Sequence, residues 1–155
     1  MTAHTLRALI RTIPDYPKPG IQFRDITTLI RDPAGFRLAI EMLKPAVARH
    51  GVSLIAGIEA RGFIFGAALA QELGLGFVPI RKKGKLPPPV ITQEYTTEYS
   101  SAALEIPADG MDITGKRIVL VDDVLATGGT LVAARDLIER AGGSVAGYVV
   151  VLEVP

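Results

Sequence analysis

Cysteine is absent from the 155 residues. That excludes disulfides and thiolate metal sites and is compatible with a cytoplasmic location. An excess of either charge is missing too: 17 Lys and Arg stand against 16 Asp and Glu, for a formal net charge of +1. Such a balance argues against a global electrostatic grip on nucleic acid, so any anion site must be built locally. No stretch reaches the roughly 20 consecutive apolar residues that a membrane span needs. Residues 1–11 carry no long apolar run behind their charges, and no signal peptide is expected there. Internal repeats are lacking, as are linkers, and Pro87-Pro88-Pro89 is the one biased tract.

What is present suits a single domain of ordinary size over 1–155. Apolar residues make up 48% of the chain, enough to fill a sizeable core. Leu6, Leu9, Ile10 and Ile13 fall at helical spacing, which predicts a short helix over 3–13. Pro14, Pro17, Pro19 and Gly20 then break the pattern. Asp32-Pro33 is a good helix start, with Phe36, Ile40, Leu43 and Val47 on the apolar face. Pro45 should kink or split that helix, and Gly51 should end it. His4 and His50 read as ordinary helix residues, not ligands.

From Val52 the rhythm becomes strand, loop, helix. Strands are expected at 53–58, 77–80, 117–121 and 145–152, and helices at 63–73 and 130–141. Between them lie a basic turn at 81–85 and the proline run. A hairpin or mobile arm is expected at 90–106. Apolar strands without alternation imply a parallel sheet covered on both faces, and their alternation with helices implies an open α/β sheet.

The strongest chemical signal is the segment Val121-Asp122-Asp123-Val124-Leu125-Ala126-Thr127-Gly128-Gly129-Thr130. Ligands of open α/β sheets sit beyond the carboxyl ends of the strands, and here two acids directly follow a strand. Gly128 and Gly129 let the backbone approach a ligand, and the start of the following helix favours an anion. Thr127 and Thr130 add hydroxyl donors. The arrangement suits a terminal phosphate at 126–130. The carboxylates of Asp122 and Asp123 are placed to take hydrogen bonds from ribose hydroxyls or to hold Mg²⁺ through water.

This segment resembles the phosphoribosyl-diphosphate (PRPP) motif of the type I phosphoribosyltransferases. The resemblance implies an open, mostly parallel sheet flanked by helices, with a small N-terminal hood and a flexible catalytic loop. On that pattern 1–30 supply the N-terminal helix and the base-binding hood segment, 31–152 the α/β core, and 82–106 the flexible loop. Asp122 and Asp123 would contact the ribose, and Ala126, Thr127, Gly128, Gly129 and Thr130 would hold the 5-phosphate.

Three more segments resemble the adenine-specific members of that family. In the first, residues 15–27, a proline-rich bend leads into Gln22-Phe23-Arg24. Backbone groups there can read the donor and acceptor edge of adenine, and Phe23 can stack on the ring. The second is Gly57-Ile58-Glu59-Ala60-Arg61-Gly62-Phe63. Its backbone N–H groups and the Arg61 guanidinium would make a pyrophosphate pocket, and the resemblance implies a strained or cis peptide at or near Glu59-Ala60. The third begins with the cluster Arg81, Lys82, Lys83 and Lys85, of which Arg81 and Lys85 are the expected diphosphate contacts. It continues to Glu98-Tyr99, which the resemblance makes catalytic. Glu98 would manage the proton of adenine, and Tyr99 would help to close the site.

The sequence departs from the family at Ser100-Ser101, where a glycine usually follows the tyrosine. Pro87-Pro88-Pro89 is also richer in proline than the pattern requires. The resemblance further implies a segment beyond 145–152 that adds a final strand and part of the hood, whereas the sequence ends at Glu153-Val154-Pro155.

The implied reaction joins adenine and PRPP to give AMP and pyrophosphate, with Mg²⁺ carried by PRPP, in a cytoplasmic homodimer with no membrane or nucleic-acid partner. Two alternatives keep the fold. One is a phosphoribosyltransferase for another purine base. The other is a regulator that binds PRPP or a nucleotide without catalysing transfer.

Overall fold

A six-stranded sheet runs in the order β5-β6-β4-β3-β7-β8. In the computed structural model, which describes residues 3–96, 101–125 and 128–153, β3 (Leu54–Ile58), β4 (Gly76–Lys82), β7 (Arg117–Leu125) and β8 (Ser144–Glu153) are parallel neighbours. β6 (Ser101–Pro107) joins β4 antiparallel, and β5 (Val90–Thr96) pairs with β6 along its whole length. The stretch 90–106 is thus the expected hairpin, and much of the 82–106 segment is regular strand.

Two crossover helices sustain the parallel strands. α4 (Arg61–Leu73) links β3 to β4, and α5 (Gly129–Arg140) links β7 to β8. One apolar cluster gathers Ala56, Ile58, Val78, Ile80, Leu104, Ile106, Ile118 and Leu120 from the strands with Leu131, Ala134, Leu137 and Ile138 from α5. Their neighbours in sequence Ile55, Val119 and Val121, on the other face, are just as buried. Burial on both faces is why these strands read as continuous apolar runs.

By density of contacts the chain divides into two units, Met1–Met42 and Leu43–Pro155. The second holds the whole six-stranded sheet. The first holds α1 (Ala3–Leu9), β1 (Arg11–Pro14), β2 (Gln22–Asp25) and α2 (Thr27–Arg31). The boundary falls within α3 (Pro33–Ala48).

Three local expectations change. The first helix ends at Leu9, and residues 11–14 become a strand paired antiparallel with β2, Thr12 opposite Arg24 and Ile13 opposite Phe23. Ile13 fits the period of a helix as well as that of a strand, and pairing with a partner ten residues away decides between them. α3 runs unbroken through Pro45. This proline stands three residues from the helix end, and the helix continues beyond it to Arg49 N–H, which donates to Pro45 C=O. Finally, β7 does not stop before the acid pair. β8 continues alongside it, with Asp122 opposite Val150 and Val124 opposite Leu152, so Asp122 and Asp123 lie within the strand.

Candidate active site

β3 and β7 are adjacent in the sheet, yet the chain leaves them in opposite directions, toward β4 and toward β8. The crevice at such a switch point is where open α/β sheets bind ligands. Here a cleft of about 420 Å³ opens between the two helix starts, lined by Ile58, Glu59, Ala60, Arg61, Lys82, Tyr95, Leu104, Asp122, Asp123 and Thr130.

Alternation along β7 places Val119, Val121 and Asp123 on one face of the strand and Asp122 on the other. Asp123 is 6% exposed, and its Oδ2 faces Arg61 Nε at 2.6 Å. The contact is ionic: no hydrogen bond of good geometry reaches that buried oxygen among the described residues. Asp122 Oδ1 accepts the N–H of Asp123 at 2.8 Å. Burial, reinforced by the adjoining Asp123, raises the Asp122 carboxyl well above the usual carboxylate range. A buried acid with an unfilled oxygen, beside a second acid that resists ionisation, is poised for hydrogen-bond donors such as sugar hydroxyls.

Gly62 permits this closeness. A Cβ there would stand 2.9 Å from the carbonyl oxygen of Val121 and 3.4 Å from Asp122 Oδ1. Any side chain would therefore push α4 off the end of β7. The Glu59-Ala60 peptide is cis, at the place where the resemblance implies a strained or cis bond. On the other side of the crevice Gly128 takes φ 82° and caps α5, a left-handed conformation that glycine adopts without steric cost. Thr130, in the first turn of α5, reaches the cleft. Ala126, Thr127, Glu98 and Tyr99 lie outside the described residues.

The basic turn is arranged differently from the expectation. Arg81 does not line the cleft. Its Nε donates to Glu59 Oε1 at 2.8 Å, and its guanidinium carbon lies 6.0 Å from the centre of the Phe63 ring. Glu59 Oε1 also accepts the N–H of Lys82 at 3.1 Å, and the bond from Arg81 holds the Glu59 carboxyl below its ordinary value. Lys85, likewise absent from the cleft lining, acts on Glu59 through its charge. Of the cations in this turn Lys82 is the one that lines the cleft, because neighbours on a strand point to opposite faces. Tyr95 and Leu104 share that face. The signal for Lys82 was available as strand parity, since β4 carries one residue after Arg81 before turning.

Gln22, Phe23 and Arg24 belong to the 1–42 unit, on β2. The other edge of β2 is unpaired among the described residues, so alternate residues of the strand turn backbone N–H and C=O groups outward. Phe23 meets Tyr16 edge to face, with ring centres 5.3 Å apart, and Arg24 Nη1 donates to Thr12 Oγ1 at 2.5 Å. Asp25 pairs with Arg11 at 2.7 Å and accepts the Thr27 hydroxyl and N–H. Those bonds from Thr27, with Arg11, lower its carboxyl to about 2.

Comparison with known proteins places this cleft in a family. Residues 29–155 match the model of the phosphoribosyl transferase domain. The chain is 56% identical over 150 residues to an adenine phosphoribosyltransferase of Synechococcus sp. (strain JA-3-3Ab), covering 96% of this chain and 85% of that protein. The chain belongs to the adenine phosphoribosyltransferase family. Among solved structures, the adenine phosphoribosyltransferase of Thermoanaerobacter pseudethanolicus superposes with a TM-score of 0.91 at 47% identity, covering 98% of this chain and 88% of that one. The adenine phosphoribosyltransferase of Saccharomyces cerevisiae, complexed with an imino-altritol bisphosphate and adenine, superposes at 0.89 with 36% identity, covering 98% and 88%. The type I phosphoribosyltransferase fold read from the sequence is the fold of the chain. Within the adenine phosphoribosyltransferase pattern, the acid pair, Arg61 and Thr130 meet in one cleft.

Proposed function

We propose that this chain transfers the 5-phosphoribosyl group of PRPP to adenine, forming AMP and pyrophosphate and serving purine salvage. The observation that carries the reading is the meeting of Arg61, Asp122, Asp123 and Thr130 at the switch point between β3 and β7. A sugar phosphate laid across it puts its 5-phosphate at the start of α5, its ribose hydroxyls against the acid pair, and its diphosphate toward Arg61 and Lys82.

N9 of adenine attacks the anomeric carbon, the bond to the diphosphate oxygen breaks, and the N9 proton leaves. Positive charge develops on the sugar while negative charge gathers on the departing diphosphate. Arg61 and Lys82 stabilise the latter. On the family's pattern the backbone of Gln22 and Arg24 reads the adenine edge, Phe23 stacks on the base, Glu98 takes up its proton, and Tyr99 helps to exclude water, which would otherwise hydrolyse the sugar.

Mg²⁺ suits the oxygen-only donors of the cleft. Asp122 and Asp123 would hold its waters, and the ion would neutralise diphosphate charge. No helix among the described residues is long and apolar enough to cross a membrane. The working form on this reading is a cytoplasmic homodimer, which light scattering on the purified protein tests.

The decisive experiment is AMP formation from adenine, PRPP and Mg²⁺, with hypoxanthine, guanine and xanthine as competitors. AMP from adenine alone supports the reading. Bound PRPP without product would make the chain a regulator, and turnover of another base would change the substrate.

A further inference from the structure

Glu105 is a carboxylate that the chemistry above leaves unused. It stands on β6, is 5% exposed, and points away from the cleft, because its neighbour Leu104 lines the cleft. Both of its oxygens are engaged. Oε1 accepts the N–H of Gly84 at 2.9 Å, and Oε2 accepts the hydroxyl of Thr92, directly opposite on β5, at 2.5 Å. A buried carboxylate is costly unless it is bonded in this way. The bonds from Thr92 and Gly84, with the charge of Lys83, keep its carboxyl below the ordinary value.

Gly84 belongs to the turn that ends β4, closed by Lys85 N–H donating to Lys82 C=O at 3.3 Å. The turn is therefore held by two carboxylates from two directions. Glu59, on the cleft side, takes the N–H of Lys82, and Glu105, from behind, takes the N–H of Gly84. Between these fixed points stands the lysine that enters the cleft. Its side chain carries four rotatable carbons, so its reach depends on where the backbone is held.

Resting on the transferase reading above, we propose that Glu105 is a positioning residue for the diphosphate end of the cleft. From the opposite face of the sheet it pins the 82–85 turn to β5 and thereby sets the place of Lys82. It touches no substrate and acts through the lysine.

The test compares Glu105→Ala, Glu105→Gln and Lys82→Ala in the full chain. Glu105→Ala is expected to raise the KM for PRPP and the Kd for Mg²⁺-pyrophosphate about tenfold, with kcat and the KM for adenine changed less than about twofold. Glu105→Gln recovers most of the loss, because its amide oxygen still accepts Gly84 N–H and its NH₂ can serve Thr92. In the Lys82→Ala background, Glu105→Ala adds less than about twofold, the mark of two residues acting through one contact. Hydrogen exchange at 82–85 quickens in Glu105→Ala while 54–58 and 117–121 stay protected. Independent, multiplicative effects of the two alanines would overturn the proposal, as would equal rises in the KM for adenine and PRPP, or unchanged exchange at the turn. If Glu105→Ala does not fold, Thr92→Val removes one of the two bonds, and unchanged pyrophosphate affinity and turn exchange in that variant would count against the proposal. Pyrophosphate titration and exchange need no turnover, so they decide the role of Glu105 even if AMP formation by the unaltered chain fails and the transferase reading falls.

Discussion

Arg61 Nε stands 2.6 Å from Asp123 Oδ2, which makes the first residue of α4 and the buried acid of β7 one electrostatic unit. The contact crosses the switch point of the sheet. On the proposed function it brings the cation that would meet the leaving group within reach of the carboxylate that would address the sugar.

Arg61→Ala is expected to lower kcat/KM for AMP formation about a hundredfold through the loss of diphosphate stabilisation. It should also cost about 1–2 kcal/mol of stability, less than a fully buried pair, because 39% of the arginine side chain is exposed. Arg61→Lys should restore much of the stability and little of the rate, since an ammonium lacks the planar fork. Urea melts and steady-state kinetics on the same preparations separate the two losses.

Asp122 sets function against stability. Its carboxyl is held above the ordinary value, so the folded chain keeps a proton that the unfolded chain has already released. Stability therefore falls as pH rises through the window that opens at the ordinary carboxylate pKa and closes at the raised one. Asp122→Asn removes that penalty. At neutral pH it should raise the melting temperature of the ligand-free chain, by about 2–4 °C for each kcal/mol relieved, and at pH 4 hardly at all. PRPP affinity should fall in the same variant. A lower melting temperature at neutral pH would show that the burial penalty on Asp122 is not what sets its environment.

Gly62→Ala places a methyl group against a backbone oxygen, which cannot turn aside. The expected cost is about 1–3 kcal/mol of stability. The KM for PRPP should rise with it, because α4 carries Arg61 with it. Calorimetric melting and PRPP titration check both; a stable variant with native PRPP affinity would mean that helix and strand do not approach as closely as described.

Glu98→Ala is expected to reduce turnover about a hundredfold, the lower range for general acid–base catalysis, and to leave PRPP affinity nearly unchanged. Single-turnover measurements with saturating PRPP make the comparison. Undiminished turnover removes Glu98 from the chemistry.

Chelation tests the metal. With EDTA in excess, AMP formation should stop, and added Mg²⁺ should restore it in step with the fraction of PRPP that carries the ion. Full activity in EDTA would leave diphosphate neutralisation to Arg61 and Lys82 alone.

The parts of the site legible in the sequence are those whose chemistry is local. Gly57 through Phe63 announces a strand, a loop and a helix start in seven residues. The run from Asp122 to Thr130 likewise shows acids, a glycine turn and a helix start in one stretch. What escaped depends on partners distant in the chain. Whether residues 11–14 are helix or strand is settled by Gln22–Asp25 across the pair. Whether β7 ends at Val121 is settled by β8. Alternation separates Arg81 from Lys82, but which of them faces the cleft is settled by the pairing of Lys82 with Leu104, 22 residues later. Tyr95 and Leu104 enter the lining because β6 is paired in between β4 and β5. Such assignments need the register of the sheet.

The cleft draws on residues 58–61, 82, 95, 104, 122–123 and 130, stretches far apart in the chain. They become neighbours only after parallel strands have closed over their crossover helices, a late and long-range event in folding. The binding surface therefore exists in none of those stretches alone, and its ligand is in effect a folding reagent. At a hundred times its Kd, PRPP would add about 2.7 kcal/mol to the stability of the native state. The supply of substrate would then govern how long the enzyme survives as well as how fast it works.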